Sequence, residues 1–383
     1  KTKYNKKRAQ EVMKQLESAH PFLKSRIGYE KETNKYFYLA DDLVTTPIVE
    51  KKITTWDTNG FPDALWEDYK MSTSTDWNVM TNGLLQLFIY NFQDKFSLLF
   101  IAHHLLCDGR GLLELVQSFV DCYLNHTIPT YSEEQLISDI TDLPKGSNLP
   151  FISKAIINSM NKKWRKENKH LSYEEYHEIA DKFTSNNKKQ YSLLQMKDEE
   201  FMKILRECHD NKITVNDYLL AKMVIENQAE KIIMAIDIRN LLNNYVKGSL
   251  GNYATAVGIH CKTKNTNLLK VAKMFHQKKE GVIKNKHKLM TVLACYMQME
   301  PGLLDASAIA GLGLYESEPA KFTGGTLFGY TNRNGYSITN LGKIDHPLIE
   351  KGIFIPPASP AIKKIWGVLT VNNVLTICSC DNL

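Results

Sequence analysis

The stretch Phe100-Ile101-Ala102-His103-His104-Leu105-Leu106-Cys107-Asp108-Gly109 brings together the residue types of a reaction site. Two adjacent imidazoles end an apolar, β-like run, Phe96 to His103. A carboxylate follows four residues after the second imidazole, and a glycine sits where the chain turns into a helix. Successive strand residues face opposite sides, so only one imidazole enters a given cavity and the other is structural. With an unperturbed pKa of about 6.5, imidazole suits a general base near neutral pH. Asp108 can hold the loop through a salt bridge, and Gly109 lets backbone approach a ligand. With Asp and Gly at this spacing, the pair reads as a functional site rather than as histidines satisfied at a strand end.

Working outward, Leu84 to Phe92 reads as a strand joined to the histidine strand through Gln93-Asp94-Lys95, a hairpin or two long neighbours. On the N-terminal side, Ala9, Val12, Met13, Leu16 and Ala19 recur at helical spacing over Lys6 to Ala19. His20-Pro21 stops that helix, and strands follow at Arg26 to Glu30 and Lys35 to Ala40. On the C-terminal side, Gly109 to Leu124 is a helix with a wide apolar face. Pro129 to Pro150 is polar and proline-punctuated, and Ile152 to Ser185 alternates helix-like pieces with charge, which places an interdomain region here. The expected organisation is a first half at 1–150, a connecting region at 151–187 and a second half at 188–383.

The second half opens with a strand, Gln190 to Met196, and a helix, Asp198 to Asp210. Thr214 is placed to cap a helix over Val215 to Asn227, with Asp217 completing an Asp variant of the capping box. Lys231 to Arg239 reads as a buried strand, Tyr253 to Cys261 as another, and Asn267 to Lys284 as a long helix. Beyond Ser317 the chain reads as mostly β, at Thr326 to Tyr330, Tyr336 to Asn340, Gly352 to Ile355, Ile365 to Val371 and Val374 to Cys380. Strands and helices are intermixed in both halves, so the expected class is α/β or α+β with two sheet-based domains.

Composition narrows the function classes. The 383 residues are 43% apolar, which excludes a disordered or collagen-like chain. Apolar runs reach about nine residues, well short of a membrane span. The balance of 48 basic and 42 acidic residues gives a net charge of +6, and only seven of the basic residues are Arg. A Lys-rich, Arg-poor surface reads as solvated, so no nucleic-acid partner is expected, and the cluster Lys162 to Lys169 is a weak targeting or RNA signal. Cysteines 107, 122, 208, 261, 295, 378 and 380 are odd in number and scattered in apolar runs, as in a reduced, cytoplasmic protein. No Cys or His spacing suits zinc, so no metal site is expected. Gly311-Leu312-Gly313 and Gly324-Gly325 lack the surroundings of a dinucleotide fingerprint and read as turns.

His103-His104-x-x-x-Asp108-Gly109 resembles the signature of the coenzyme A-dependent acyltransferase superfamily. That group includes chloramphenicol acetyltransferase, the plant acyltransferases, nonribosomal peptide condensation domains, and the alcohol acetyltransferase and polyketide-associated acyltransferase types. Further segments are similar in the same order: His20-Pro21-Phe22-Leu23 with Arg26, Thr214 to Ala221, Ile236-Asp237-Ile238-Arg239, Gly251-Asn252-Tyr253 and Thr339-Asn340-Leu341-Gly342. The resemblance implies two chloramphenicol acetyltransferase-like domains of mixed sheets and helices, with an active-site tunnel between them. It implies that His104 is the general base for an acceptor hydroxyl or amine, that His103 and Gly109 are structural, and that Asp108 pairs with Arg239, or in second place Arg26. Thr339 or Asn340 becomes the oxyanion donor, and Cys107, Asn252 and Ser337 line the tunnel.

The same resemblance implies no tightly bound cofactor, a coenzyme A thioester as co-substrate, and direct transfer in a ternary complex to a small alcohol or amine. An acyl carrier protein in trans is the alternative donor, and a non-catalytic binding member of the fold is the third reading. A monomer without a transmembrane segment is expected. Members of the group begin with a strand before the first helix, whereas this chain starts at Lys1, almost at that helix. The expectation is therefore a parent chain slightly longer than about 400 residues, with an edge strand of the first sheet missing here.

Overall fold

The computed structural model describes residues 4–382 apart from 33–34, 54, 75–76, 93–94, 197 and 262–265. Its chain divides into two compact units, Lys1–Ile137 with Asn244–Tyr253, and Ser138–Asn243 with Ala254–Leu383.

The first unit opens with α1 (Lys6–Ala19), capped by the Asn5 side chain, which accepts the Arg8 N–H. Ala9, Val12, Met13 and Leu16 are buried at the expected helical spacing. A 3-10 turn then leads into the antiparallel pair β1 (Ser25–Glu30) and β2 (Lys35–Ala40). Next come β3 (Ile48–Lys52) and α2 (Asp63–Ser74), neither of which stands out in the sequence, because the strand is short and largely exposed. The long strands β4 (Leu85–Phe92) and β5 (Lys95–Ala102) pair antiparallel from Leu85 opposite Ala102 to Phe92 opposite Lys95, as the hairpin reading requires. Gln93 and Asp94 of that reading lie outside the described residues. β3 runs parallel to β4, giving the order β3-β4-β5. α3 (Gly109–Asn125) follows, and its Phe119 ring meets Phe100 of β5 edge-on at 5.4 Å.

The second unit begins with α4 (Phe151–Glu167) and α5 (Tyr173–Asn186). Ile157, Met160 and Trp164 of α4 join Met299, Leu303, Ala306, Ala310 and Ala320 in one buried cluster. Then come β6 (Lys189–Met196), α6 (Asp198–Asp210), α7 (Val215–Asn227), β7 (Lys231–Asp237), β8 (Ala254–His260) and α8 (Leu268–Ile283). The remainder is α9 (Lys286–Gln298), α10 (Pro301–Gly311), α11 (Glu318–Phe322), β9 (Gly335–Ile344), β10 (Ile362–Val371) and β11 (Val374–Asn382). The six strands form one mixed sheet in the order β6-β11-β10-β9-β7-β8. β9 is parallel to both β7 and β10, and the other pairs are antiparallel. Mixed sheets with helices make up the molecule, the class expected.

Three sequence readings are corrected. Thr326 to Tyr330 is not a strand, because Thr323–Leu327 forms a π-helical turn. Its Gly324 lies so close to α10 that a Cβ there would sit 1.8 Å from the Ser307 carbonyl oxygen. Gly352 to Ile355 runs outside any ladder, where the Gly352 carbonyl accepts a hydrogen bond from the Thr376 hydroxyl. β7 is not buried throughout. Ile232 and Met234 point inward while Lys231, Ala235 and Asp237 are exposed, so the strand covers the core with one face. It also stops before Arg239, which sits in a following 3-10 turn.

Candidate active site

The histidine loop starts where β5 ends. The His103 N–H donates to the Leu84 carbonyl, and the Leu106 N–H donates back to the His103 carbonyl, closing a tight turn. His103 is half-buried. Its Nδ1 accepts the Leu105 N–H at 3.2 Å, and its ring meets Trp77 edge-on at 6.0 Å. Accepting at Nδ1 places the ring proton of a neutral imidazole on Nε2. His104, the next residue, is exposed. Two adjacent histidines thus have different surroundings, one inside a local network and one exposed.

The backbone beneath His104 is held from three directions. The Asn252 side-chain amide donates to the His104 carbonyl at 2.6 Å. The Tyr38 hydroxyl donates to the next carbonyl, Leu105, at 2.7 Å, and burial pushes that phenol's pKa up, so it stays protonated and able to donate. Asp108 is buried and caps α3: its Oδ1 accepts the Gly111 N–H at 2.9 Å and its Oδ2 accepts the Tyr253 N–H at 2.8 Å. The Asp108 N–H itself donates to the Gly251 carbonyl at 3.1 Å. The carboxylate is therefore a fastener between the helix start and the segment Asn244–Tyr253.

That segment comes from the second half of the sequence but packs into the first unit. Tyr253 anchors it, fully buried, with its hydroxyl 2.9 Å from the Gln135 carbonyl and 3.0 Å from Ser249 Oγ. Gly251 has φ +153, and a Cβ there would lie 2.9 Å from the Tyr253 ring, so no larger residue fits the turn. The loop-holding roles of Tyr38, Trp77 and Tyr253 escaped sequence reading. Each is an ordinary aromatic in sequence, and only the pairing of distant segments reveals it.

The remaining expected residues divide by place. Cys107 and Ser337 are buried. Arg26 binds Asp41 at 2.7 Å and the Met80 carbonyl at 2.9 Å. Arg239, in the second unit, is buried and donates to Asp237 at 3.1 Å. Thr339 and Asn340 are consecutive in β9, opposite Gly367 and Val368 of β10, so they face opposite sides of the sheet. Asn340 is used locally: its amide reaches Asn216 in the first turn of α7 at 3.5 Å, and its Oδ1 accepts the Gly342 N–H at 2.8 Å. Thr339 therefore projects from the face away from that contact, alongside Ser337.

No protein-family model and no curated protein sequence matches the chain. Solved structures do. The epimerization domain from the third module of tyrocidine synthetase B superposes with a TM-score of 0.58 at 13% identity, covering 100% of this chain and 84% of that one. The chain has the condensation-domain fold. Polyketide synthase associated protein 5 from Mycobacterium tuberculosis gives 0.57 at 13% identity, with 100% and 87% covered. The first condensation domain of the calcium-dependent antibiotic synthetase gives 0.56 at 10%, with 100% and 83% covered. In this condensation-domain fold, an exposed imidazole stands on a loop fixed by Asn252, Asp108 and Tyr38. Among the described residues no cluster of His, Cys, Asp and Glu is arranged to hold a metal, and no helix is long and apolar enough to cross a membrane.

Proposed function

We propose that the protein transfers an acyl group from a thioester to the hydroxyl or amine of a small acceptor, with His104 as general base. The observation that carries this reading is the exposed His104 ring on a loop whose backbone is fixed by three separate side chains. A base must be open to its substrate and held still, since a misplacement of about 1 Å can cost a hundredfold in rate. His104 takes the acceptor's proton as its oxygen or nitrogen attacks the thioester carbonyl. The tetrahedral oxyanion needs a hydrogen-bond donor, the role that the family resemblance gives to Thr339 or Asn340. Collapse expels the thiolate, which recovers the proton, so the enzyme forms no covalent intermediate. Asp108 and Asn252 are positioning residues.

Coenzyme A is the donor in the simplest form of the reading, and the protein works in a reducing cytoplasm, which its seven free cysteines suit. A donor on a carrier protein is the second form. It is favoured by neighbours that are named condensation domains of a synthetase and of polyketide synthases. A fold does not fix a reaction, and one neighbour is an epimerization domain. The test offers acyl-coenzyme A and acylated carrier protein separately, with pooled small alcohols and amines, and follows free thiol. Acceptor-dependent thiol release that falls about a thousandfold in His104→Ala is expected. Undiminished release in that variant would exclude His104 as the base.

A further inference from the structure

The outer end of α4 carries a feature that acyl transfer does not use. Phe151 and Ile152, its first two residues, are 86% and 72% exposed, and Ile156 on the next turn is also exposed. The buried face of this helix runs through Ile157, Met160, Asn161 and Trp164, so at helical spacing Phe151 and Ile152 project from the opposite side and Ile156 from its flank. Two adjacent large apolar side chains at this exposure lose hydrophobic free energy to water, and a patch of this kind marks an interaction surface.

The flanking segments carry basic but no acidic side chains. No Asp or Glu occurs from Lys145 to Lys166 or from Gly281 to Gln298. The two segments lie side by side: His287 Nδ1 donates to the Asn148 carbonyl at 3.0 Å, and Gln298 Nε2 donates to Asn158 Oδ1 at 2.7 Å. Lys163 and Arg165 pair with Glu318 and Glu300, at 2.7 Å and 3.0 Å. Lys154, Lys286 and Lys288 are exposed and have no acidic partner among the described residues, and the last two flank His287.

We infer that Phe151, Ile152 and Ile156, together with Lys154, Lys286 and Lys288, dock the protein on an anionic lipid surface. Apolar tips that stand out from a helix start need a soft medium to enter, and the acyl boundary of a bilayer is one, whereas a protein partner would have to offer a matching pocket. Lysines around such tips meet acidic headgroups, each contributing by attraction to the surface potential. A second copy of this chain fits badly, because a two-fold contact would press one set of lysines against another. A nucleic acid would use the lysines but leave the Phe and Ile tips without a function.

The experiment is co-sedimentation of the whole protein with vesicles of phosphatidylcholine alone and of phosphatidylcholine with phosphatidylserine. Binding to the phosphatidylserine vesicles only, weakened by salt, is expected. Phe151→Ser with Ile152→Ser should lower partitioning about tenfold or more, and each of Lys154→Glu, Lys286→Glu and Lys288→Glu about fivefold. These positions are exposed, so an unchanged thermal midpoint verifies that the variants fold. Wild-type protein that stays in the supernatant with phosphatidylserine vesicles would overturn the inference. So would binding that the Phe151→Ser/Ile152→Ser variant retains in full, which would make it a general effect of net charge. Light scattering that shows a dimer abolished by the same pair would assign the patch to self-association instead.

Discussion

At the scale of single residues, the site is organised by contacts to backbone. The Asn252 amide holds the His104 carbonyl at 2.6 Å. Asn252→Ala should therefore lower kcat about tenfold with little change in KM for either substrate, since one hydrogen bond to the loop is lost and no substrate contact is removed. An Asn252→Ala enzyme with a raised KM and normal kcat would instead place the residue in the substrate path, as its sequence reading had it. Asp108 combines a helix cap with a buried hydrogen bond to the Tyr253 N–H. Asp108→Ala should cost about 2–3 kcal/mol in denaturant unfolding, the sum of a cap and a charge-assisted bond. A loss below about 0.5 kcal/mol would mean that the fastening is not formed. The motif made His104 and Asp108 legible in sequence because their spacing along one strand-turn-helix is local. Asn252 was legible only as part of a Gly-Asn turn, since its role depends on a chain crossing that no local pattern encodes.

At the scale of elements, α7 shows how a buried charge is accommodated. Asp217 is fully buried at the third position of the helix, where it accepts the Thr214 N–H at 2.9 Å and meets Lys279 at 2.6 Å and His276 at 2.9 Å from α8. Burial by itself would raise the Asp217 pKa, but the bonds from Lys279, Thr214 and His276 outweigh it and hold the carboxyl below its ordinary value. A depressed folded-state pKa contributes stability that is fully present above the unfolded value near 3.8 and is lost as pH falls through the folded one. Replacing Asp217 with Asn should therefore flatten the acid limb of a stability-versus-pH curve. An acid limb unchanged in that variant would contradict the arrangement. The Thr214 cap was readable from sequence because capping residues lie three apart, whereas Lys279 and His276 come from another helix. The strand reading at Thr326 to Tyr330 fails: Leu327, Phe328 and Tyr330 also suit a strand, and no local pattern shows the close approach of Gly324 to α10. Gly324→Ala should destabilise the second unit by about 3 kcal/mol or more, as backbone cannot yield to a Cβ 1.8 Å from the Ser307 oxygen. A thermal midpoint equal to that of the parent would refute the close packing.

At the scale of the whole molecule, residues far apart in sequence converge on one loop. The long strands and amphipathic helices were legible because their periodicity is strong over eight or more residues, as in β4, β5 and α3. Short or exposed pieces such as β3 were not, since their stability comes from neighbours rather than from their own pattern. Asn244–Tyr253 belongs to the first unit, and through it Asn252, distant in sequence, bonds the His104 carbonyl. In the proposed reaction this exposed imidazole removes the acceptor's proton during thioester transfer. Its most direct test is the rate of acceptor-dependent free-thiol release by wild type and His104→Ala, matched for thermal midpoint. Turnover in the wild type and a loss of about a thousandfold in the variant are expected, and equal rates in the two would rule out His104 as the base.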